Sequence, residues 1–347
     1  MKIGILVTDF EVKKSYHTTI RLAREALNLG HEVFFLTPGG FTYTPHDHLR
    51  LRVISPPRKR YKSSDTFMKE LAEQPVRQTI DGSELDVLLL RDNPAKYSRD
   101  KNWAKPAGTT FGRAAVREGI IVLNDPDGLN QATNKMYFQG FPEPVRPKTL
   151  ITRDLDAIKD FARELEGDLI LKPLQGSGGD GVFMVKKDAN YNLNQMVEAL
   201  LKDGFIIAQE YLTAAEKGDV RLYMMNGRPL RVKGKYAAFQ RVRRGDDIRS
   251  NMHAGGTIEK AEVTTEMLDI CEMVRPKLVK DGMFLVGLDI VGNKLMEINV
   301  FCPGGLQGME KLEGVNFSAA VVEALDRKVR YSSFYDGTFD NVTMATL

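Results

Sequence analysis

Three groups of residues in this chain have the types and spacing to do chemistry on a nucleotide. The first is the run Gln175-Gly176-Ser177-Gly178-Gly179-Asp180-Gly181. It matches G-x-G-x-x-G in form, but a dinucleotide fingerprint leads from a strand into a helix, so that the helix N-terminus meets the pyrophosphate. Here the loop leads into Val182-Phe183-Met184-Val185, which has strand composition. No Gly-Lys-Ser/Thr follows, so it is not a P-loop either. A glycine hairpin between two strands is often only a flexible turn; it can also fold over a triphosphate and offer backbone N–H groups to it. The second group is a lysine pair. Lys172 ends the apolar strand just before the loop, within reach of α- and β-phosphates, and Lys135 follows Asn134 at the start of a segment. Either lysine alone is more often a solvated surface residue.

The third group is Asp289 with Glu297 and Asn299. Glu297 and Asn299 stand at i and i+2 on a strand, so their oxygens face one side. Both have apolar neighbours, among which an unpaired carboxylate is costly. Hard oxygen ligands of this kind, held together with substrate phosphates, suit Mg²⁺ (or Mn²⁺). Asp289 must join them from the preceding strand. A two-residue turn at Gly292-Asn293 would pair Asp289 with Met296 and put Glu297 on the wrong face. A three-residue loop, Gly292 to Lys294, pairs Asp289 with Glu297, and this is the expected arrangement. The bland alternative is an ordinary hairpin with solvent-facing acids.

The elements that must position these groups read as follows. Strand patterns at Lys2 to Val7, His31 to Leu36, Leu85 to Leu90 and Gly119 to Leu123 alternate with helical spacing at Thr18 to Leu29 and Arg113 to Arg117. They predict a βαβ-type parallel sheet of about 120 residues. After the turn cluster Asn124-Asp125-Pro126-Asp127-Gly128 and a proline-rich connector (Phe141 to Pro147), a small α+β segment follows. It has helices Leu155 to Leu165 and Leu193 to Leu201 and strands Leu169 to Lys172 and Val182 to Lys186. From Phe205 the patterns are antiparallel: Ile206 to Tyr211, Val220 to Met225, Pro229 to Ala238, Leu285 to Val291 and Leu295 to Val300, interrupted by a helix from Thr265 to Lys280. The expected units are an N-terminal α/β domain (1–123), a small lid (124–204), an antiparallel catalytic domain (205–330) and an aperiodic tail (331–347). The fold class is α/β and α+β.

Composition bounds the function. The 347 residues exceed the usual size of one core. Forty-nine Lys+Arg against 46 Asp+Glu, a formal +3, are too even to imply nucleic-acid binding. No apolar run approaches the roughly 18 residues that span a bilayer, and Asp9 ends the first one too soon for a signal peptide. Cys271 and Cys302 are too few for a disulfide framework or zinc site, and a reducing cytoplasm is the simplest home. His46-Asp47-His48 and Arg58-Lys59-Arg60 read as solvated.

The order of these motifs resembles the ATP-grasp superfamily and, more narrowly, the bacterial glutathione synthetases, over roughly residues 3 to 330. Carrying the resemblance are Arg91-Asp92-Asn93-Pro94, Asn124-Asp125-Pro126-Asp127-Gly128-Leu129 through Asn134-Lys135, and Leu171-Lys172-Pro173-Leu174 with the glycine loop. Ala208-Gln209-Glu210-Tyr211-Leu212, Gly218-Asp219-Val220-Arg221, Arg249-Ser250-Asn251, Val286-Gly287-Leu288-Asp289 and Glu297-Ile298-Asn299-Val300 complete the series. The resemblance implies an ATP-grasp fold with ATP between lid and catalytic domain. It implies that Lys135 and Lys172 bind ATP phosphates under a closing loop of Gly176, Ser177, Gly178, Gly179 and Gly181. Gln209, Glu210, Tyr211 and Leu212 would form the adenine-binding linker, mainly through backbone groups, and Asp219 would take a ribose hydroxyl. Asp289, Glu297 and Asn299 would hold magnesium. Arg221, Arg241 and Arg249 would lie near the phosphates and acyl substrate, Arg249 stabilising the oxyanion and departing phosphate. The implied partners are small-molecule substrates and a second copy of the chain.

One segment departs from the family. Glutathione synthetases usually continue after Glu-Ile-Asn-Val with Thr-Ser-Pro-Thr and, a little later, an arginine. This chain has Phe301-Cys302-Pro303-Gly304-Gly305. Backbone N–H groups of Gly304-Gly305 could serve a carboxylate as a nest instead. The leading expectation is an ATP-dependent carboxylate–amine ligase that joins a γ-glutamyl dipeptide to glycine through an acylphosphate. The competing expectations are the same chemistry with another amine, and a non-catalytic ATP-binding module.

Overall fold

The computed structural model describes residues 1–10, 17–175, 181–187, 192–242 and 257–347. Gly176, Ser177, Gly178, Gly179 and Arg249 lie outside the described residues.

The N-terminal apolar runs form the strands expected of them. Lys2–Leu6, Glu32–Leu36, Val87–Leu90 and Ile121–Leu123 are parallel, with Lys2–Leu6 between Glu32–Leu36 and Val87–Leu90. Their near-complete burial matches a sheet covered on both faces. The sheet is not purely parallel, however. Phe41–Tyr43, Leu49–Ser55 and Val76–Asp81 extend it on one edge as antiparallel strands. Leu49–Ser55 carries a readable alternation, burying Leu49, Leu51 and Val53. Val76–Asp81 buries only Ile80, and so has no apolar signature to read.

The lid folds around its own cluster, including Ile158, Leu169, Leu171, Val197, Leu200 and Ile206. Its four-stranded antiparallel sheet runs Phe183–Val185, Leu169–Pro173, Ile206–Glu210, Thr149–Thr152. Ile206–Glu210, assigned from sequence to the catalytic domain, hydrogen-bonds within this sheet, and Thr149–Thr152 is an additional strand. The C-terminal sheet is antiparallel, in the order Thr257–Glu259, Ala238–Val242, Asp219–Met225, Leu285–Val291, Lys294–Asn299. The single strand expected from Pro229 to Ala238 is broken. Lys233 and Gly234 both have positive φ (50° and 79°), as a tight hairpin turn demands, and Arg231–Val232 folds back onto Lys235–Tyr236. Helix Thr265–Lys280 lies where its periodicity put it, capped by Thr264.

The chain beyond Arg330 is not an aperiodic tail. Helix Phe317–Phe334 runs through it, and helix Asn341–Thr346, capped by Asp340, packs back on the body. Six residues are too few for a periodicity to declare itself. Among the described residues no helix is long and apolar enough to cross a membrane. The two larger core clusters each contain side chains from both the N-terminal sheet and the C-terminal sheet, whereas the lid cluster stands apart.

Candidate active site

Strand Leu285–Val291 is buried at every position, so an acid on it must be paired. Asp289 is 1% exposed. The hairpin turns on two residues, Gly292-Asn293, with Val291 opposite Lys294 and Ile290 opposite Leu295. The register then shifts: Met296 is an extra residue, Asp289 faces Glu297, and Gly287 faces Asn299. The expected pairing is therefore present, but by a different device. A two-residue turn followed by a β-bulge replaces the three-residue loop. Glu297 and Asn299 consequently share a face with Asp289.

Arginines surround that acid. Arg221 grips both carboxylate oxygens of Asp289, Nε at 2.7 Å and Nη2 at 2.6 Å. Arg241 Nη2 lies 2.7 Å from Asp289 Oδ2. Asn299 Nδ2 donates to the same oxygen at 3.3 Å. Burial alone would raise the Asp289 pKa, but the two guanidinium charges overcompensate and hold it at about 2. Asp219, expected at the ribose, is buried (2% exposed), and both its oxygens accept from Arg241 Nε, at 3.0 and 2.9 Å. Arg241 is thus clamped between two acids. Burial opposes its charge, while Asp289 and Asp219 raise its pKa.

Glu297 is solvent-accessible yet closely walled in. That crowding first, and the facing Asp289 charge second, raise its pKa. Two opposed carboxylates with an amide oxygen alongside are a donor set that fits a small divalent cation, whose charge would relieve their repulsion.

Two lysines approach this hairpin, Lys172 from the lid sheet and Lys135 from a helix packed on the main core. Lys135 opens a short helix, Lys135–Gly140, set by the Asn134 cap, by its own N–H bonded to Leu174 O, and by Tyr137 Oη donating to Asp281 at 2.8 Å. Its Nζ donates to Pro173 O at 2.8 Å. Lys172 Nζ donates to the side chain of Gln209 at 2.8 Å. Neither lysine has a carboxylate within ion-pair distance among the described residues, although both feel Glu297. Desolvation, reinforced by Lys135, lowers the Lys172 pKa to about 8. Gln209, expected to contribute backbone groups, thus also holds Lys172 through its side chain. Its own amide is fixed by donation to Thr149 Oγ1 at 2.9 Å.

The rest of the expected linker follows. Glu210 accepts from Lys148 N, and Tyr211 N–H donates to Asp168 O. Leu212 leads into a short helix that ends at Gly218, with φ 91°. A Cβ there would stand 1.8 Å from the Arg241 carbonyl. Only glycine lets this turn deliver Asp219 beside Arg241. Gly218→Ala should destabilise the fold by at least about 1–3 kcal/mol from backbone conformation alone, measurable by urea unfolding. Of the glycine loop only Gly181 is described, at φ 69° against Pro173.

The loop that departs from the family pattern is held from both sides. Arg91 Nη2 donates to Pro303 O at 3.1 Å, Leu306 N–H donates to Thr18 Oγ1 at 3.2 Å, and Arg221 Nη1 reaches Gly304 O at 3.4 Å. Sequence reasoning missed Thr18 in this role. Arg91 stands in the segment Arg91-Asp92-Asn93-Pro94 that carries the resemblance, a cation directly after the apolar strand Val87–Leu90, but its bond to Pro303 was not foreseen.

Comparison with known proteins identifies the family. The family description "Prokaryotic glutathione synthetase, N-terminal domain" matches residues 1–130, and "Prokaryotic glutathione synthetase, ATP-grasp domain" matches residues 134–314. A glutathione synthetase of Brucella melitensis is 35% identical over 317 residues, covering 90% of this chain and 93% of that protein. One from Gloeobacter violaceus is 33% identical over 337 residues, covering 94% and 96%. Among solved structures, D-cycloserine synthetase DcsG superposes with a TM-score of 0.61 at 14% identity, covering 94% of this chain and 99% of that one. The ATP-grasp ligase PsnB, complexed with a minimal precursor, superposes at 0.59 and 18% identity, covering 94% and 98%. At those identities the likeness speaks for the fold alone. The chain has an ATP-grasp fold, is an ATP-dependent ligase, and belongs to the prokaryotic glutathione synthetase family.

Proposed function

We propose that this ligase joins a γ-glutamyl dipeptide to glycine, using ATP and a divalent cation. The observation that carries the reading is the convergence of two desolvated lysines, Lys135 and Lys172, on a hairpin presenting Asp289, Glu297 and Asn299. Positive charge without a protein carboxylate to neutralise it suits polyphosphate; hard oxygens opposite suit the cation that accompanies it.

The substrate carboxylate attacks the γ-phosphorus, the bond to the β-phosphate oxygen breaks, and ADP leaves behind an acylphosphate. The amine then attacks the acyl carbon, losing a proton, and inorganic phosphate departs. Such phosphoryl transfer asks the protein for positioning and charge more than for covalent chemistry. Lys135 and Lys172 orient the phosphates. Asp219 and Asp289 hold Arg241 and Arg221 rigid, so that guanidinium charge is already aligned beside the reacting groups. Gln209 aims Lys172 without neutralising it. A bound Mg²⁺ would supply further charge neutralisation between phosphate oxygens, with Asp289, Glu297 and Asn299 as its holders. Arg249 and the loop Gly176 to Gly181 belong to the same reading, as oxyanion stabiliser and water-excluding cover. So do the division into substrate domain, lid and catalytic domain, with the lid sheet reaching through Ile206–Glu210, a cytoplasmic location and assembly of copies.

The test is ADP release from γ-glutamylcysteine and Mg-ATP, with and without glycine, with product mass as readout. A glutathione mass is expected. ADP release with no such product would keep the ligase and replace glycine by another amine. Gly304, which has open space where a side chain would stand, is the place to accommodate one. No ADP under any amine would overturn the reading.

A further inference from the structure

Two asparagine amides, Asn124 buried and Asn341 half-buried, act in this fold as surrogate strand partners, and they meet at the junction behind the hairpin. Asn124, 5% exposed, directly follows edge strand Ile121–Leu123 of the N-terminal sheet. Its Oδ1 accepts the Leu285 N–H at 2.9 Å, and its Nδ2 donates to Leu285 O at 3.2 Å and to Val300 O. Leu285 is the first residue of the strand bearing Asp289, and Val300 follows Asn299 directly. One side chain therefore holds both open ends of the hairpin, four residues from Asp289 on one strand and three from Glu297 on the other, or roughly 10–14 Å.

Asn341 repeats the arrangement one step away. Its Oδ1 accepts the Val122 N–H at 2.8 Å, while its Nδ2 donates to Val122 O at 2.9 Å and to Asp125 Oδ2 at 2.8 Å. Asp125 in turn caps the following helix and donates its own N–H to Gly282 O. Apolar contacts at this junction resist separation but set no register, because a sliding strand exchanges one apolar neighbour for another. An amide that must match a peptide N–H and C=O together has only one register available.

We infer that Asn124 is a positioning residue, which fixes the Asp289–Glu297–Asn299 hairpin against the N-terminal domain, and that Asn341 on the C-terminal helix secures it. This rests on the ligase reading above, and outer supports of a metal-holding set commonly matter 10–100-fold. The experiment compares wild type, Asn124→Ser and Asn341→Ala at a temperature where circular dichroism shows all three folded. Two quantities are read: the kcat against KM split for Mg-ATP, and Mn²⁺ binding in the presence of ADP by electron paramagnetic resonance. Expected for Asn124→Ser are a kcat lower by about 10–100-fold, KM for Mg-ATP within about twofold, and Mn²⁺ binding about tenfold weaker. Asn341→Ala should move in the same direction by about three- to tenfold. A merely structural amide would lower the melting temperature and leave both quantities within twofold, which overturns the inference. Should Asn124→Ser not fold, Asn341→Ala decides: unchanged kcat and Mn²⁺ affinity overturn it. Wild type that binds neither Mn-ADP nor Mg-ATP would instead overturn the ligase reading itself.

Discussion

Asp289→Asn should lower kcat by on the order of 10²–10³-fold and destabilise the protein by about 3–5 kcal/mol at neutral pH. The substitution keeps the shape of the side chain and removes its charge. Arg221 and Arg241 would then stand side by side in a buried site with Asp219 as their remaining close carboxylate. Breaking a buried pair from one side leaves an uncompensated charge, which is why the cost is large even though the intact cluster itself contributes little net stability. Glu297→Gln supplies the contrast. Glu297 faces the same space but makes no ion pair among the described residues, and its ionisation is opposed by crowding and by Asp289. Its loss should reduce kcat by a similar factor and leave the urea midpoint unchanged or raised. The sign with pH follows from the folded pKa of about 2, below the ordinary 3.8. The Asp289 contribution is complete above the ordinary value and disappears as pH falls through 2, so wild type and Asp289→Asn should converge in stability near pH 2. Equal loss of stability in the two variants would show that charge burial is not what distinguishes these acids.

The hairpin also shows how far sequence reading reaches. Face-sharing between Glu297 and Asn299 follows from the two-residue period of a strand, and it was legible. So was the demand that Asp289 face Glu297, because burying three such groups on different faces would be prohibitive. How the chain meets that demand was not legible, since a three-residue loop and a bulge at Met296 give the same pairing. The strands Lys2–Leu6 and Val87–Leu90 declared themselves by apolar runs; Val76–Asp81, exposed along most of its length, could not. Arg221, Arg241 and Asp219 were each named from the family resemblance, but their mutual clamp was invisible. Nothing in sequence says that Asp219 and Arg241 sit opposite each other on neighbouring strands, which is the register that joins them. Asn124 was read as part of a turn cluster and Asn341 as tail. Side-chain amides that replace backbone partners leave no periodic trace.

With Lys172 at a pKa of about 8, kcat/KM for ATP should decline above pH 8, by about tenfold at pH 9 and about 100-fold at pH 10. The cause is chiefly desolvation, then the neighbouring Lys135 charge, which outweigh the attraction of Glu297. Only the ammonium form attracts phosphate, so the free enzyme loses a binding charge as that proton leaves. Saturating ATP stabilises the charged form, and kcat should therefore hold to higher pH than kcat/KM. Stability moves the opposite way. The folded pKa is lowered from 10.5, so between about pH 8 and 10.5 the unfolded chain holds the extra proton, and folding becomes more favourable as pH rises through that window. Lys172→Arg keeps its charge across this range and should abolish the alkaline decline, at a lower baseline because a planar guanidinium replaces a point charge. Gln209→Glu places a carboxylate where Lys172 now finds a neutral oxygen at 2.8 Å. It should shift the decline to higher pH while raising KM for ATP, because the lysine is then neutralised by the protein before phosphate arrives. A kcat/KM profile that stays level through pH 10 in wild type, with ATP still bound, would remove Lys172 from the phosphate site.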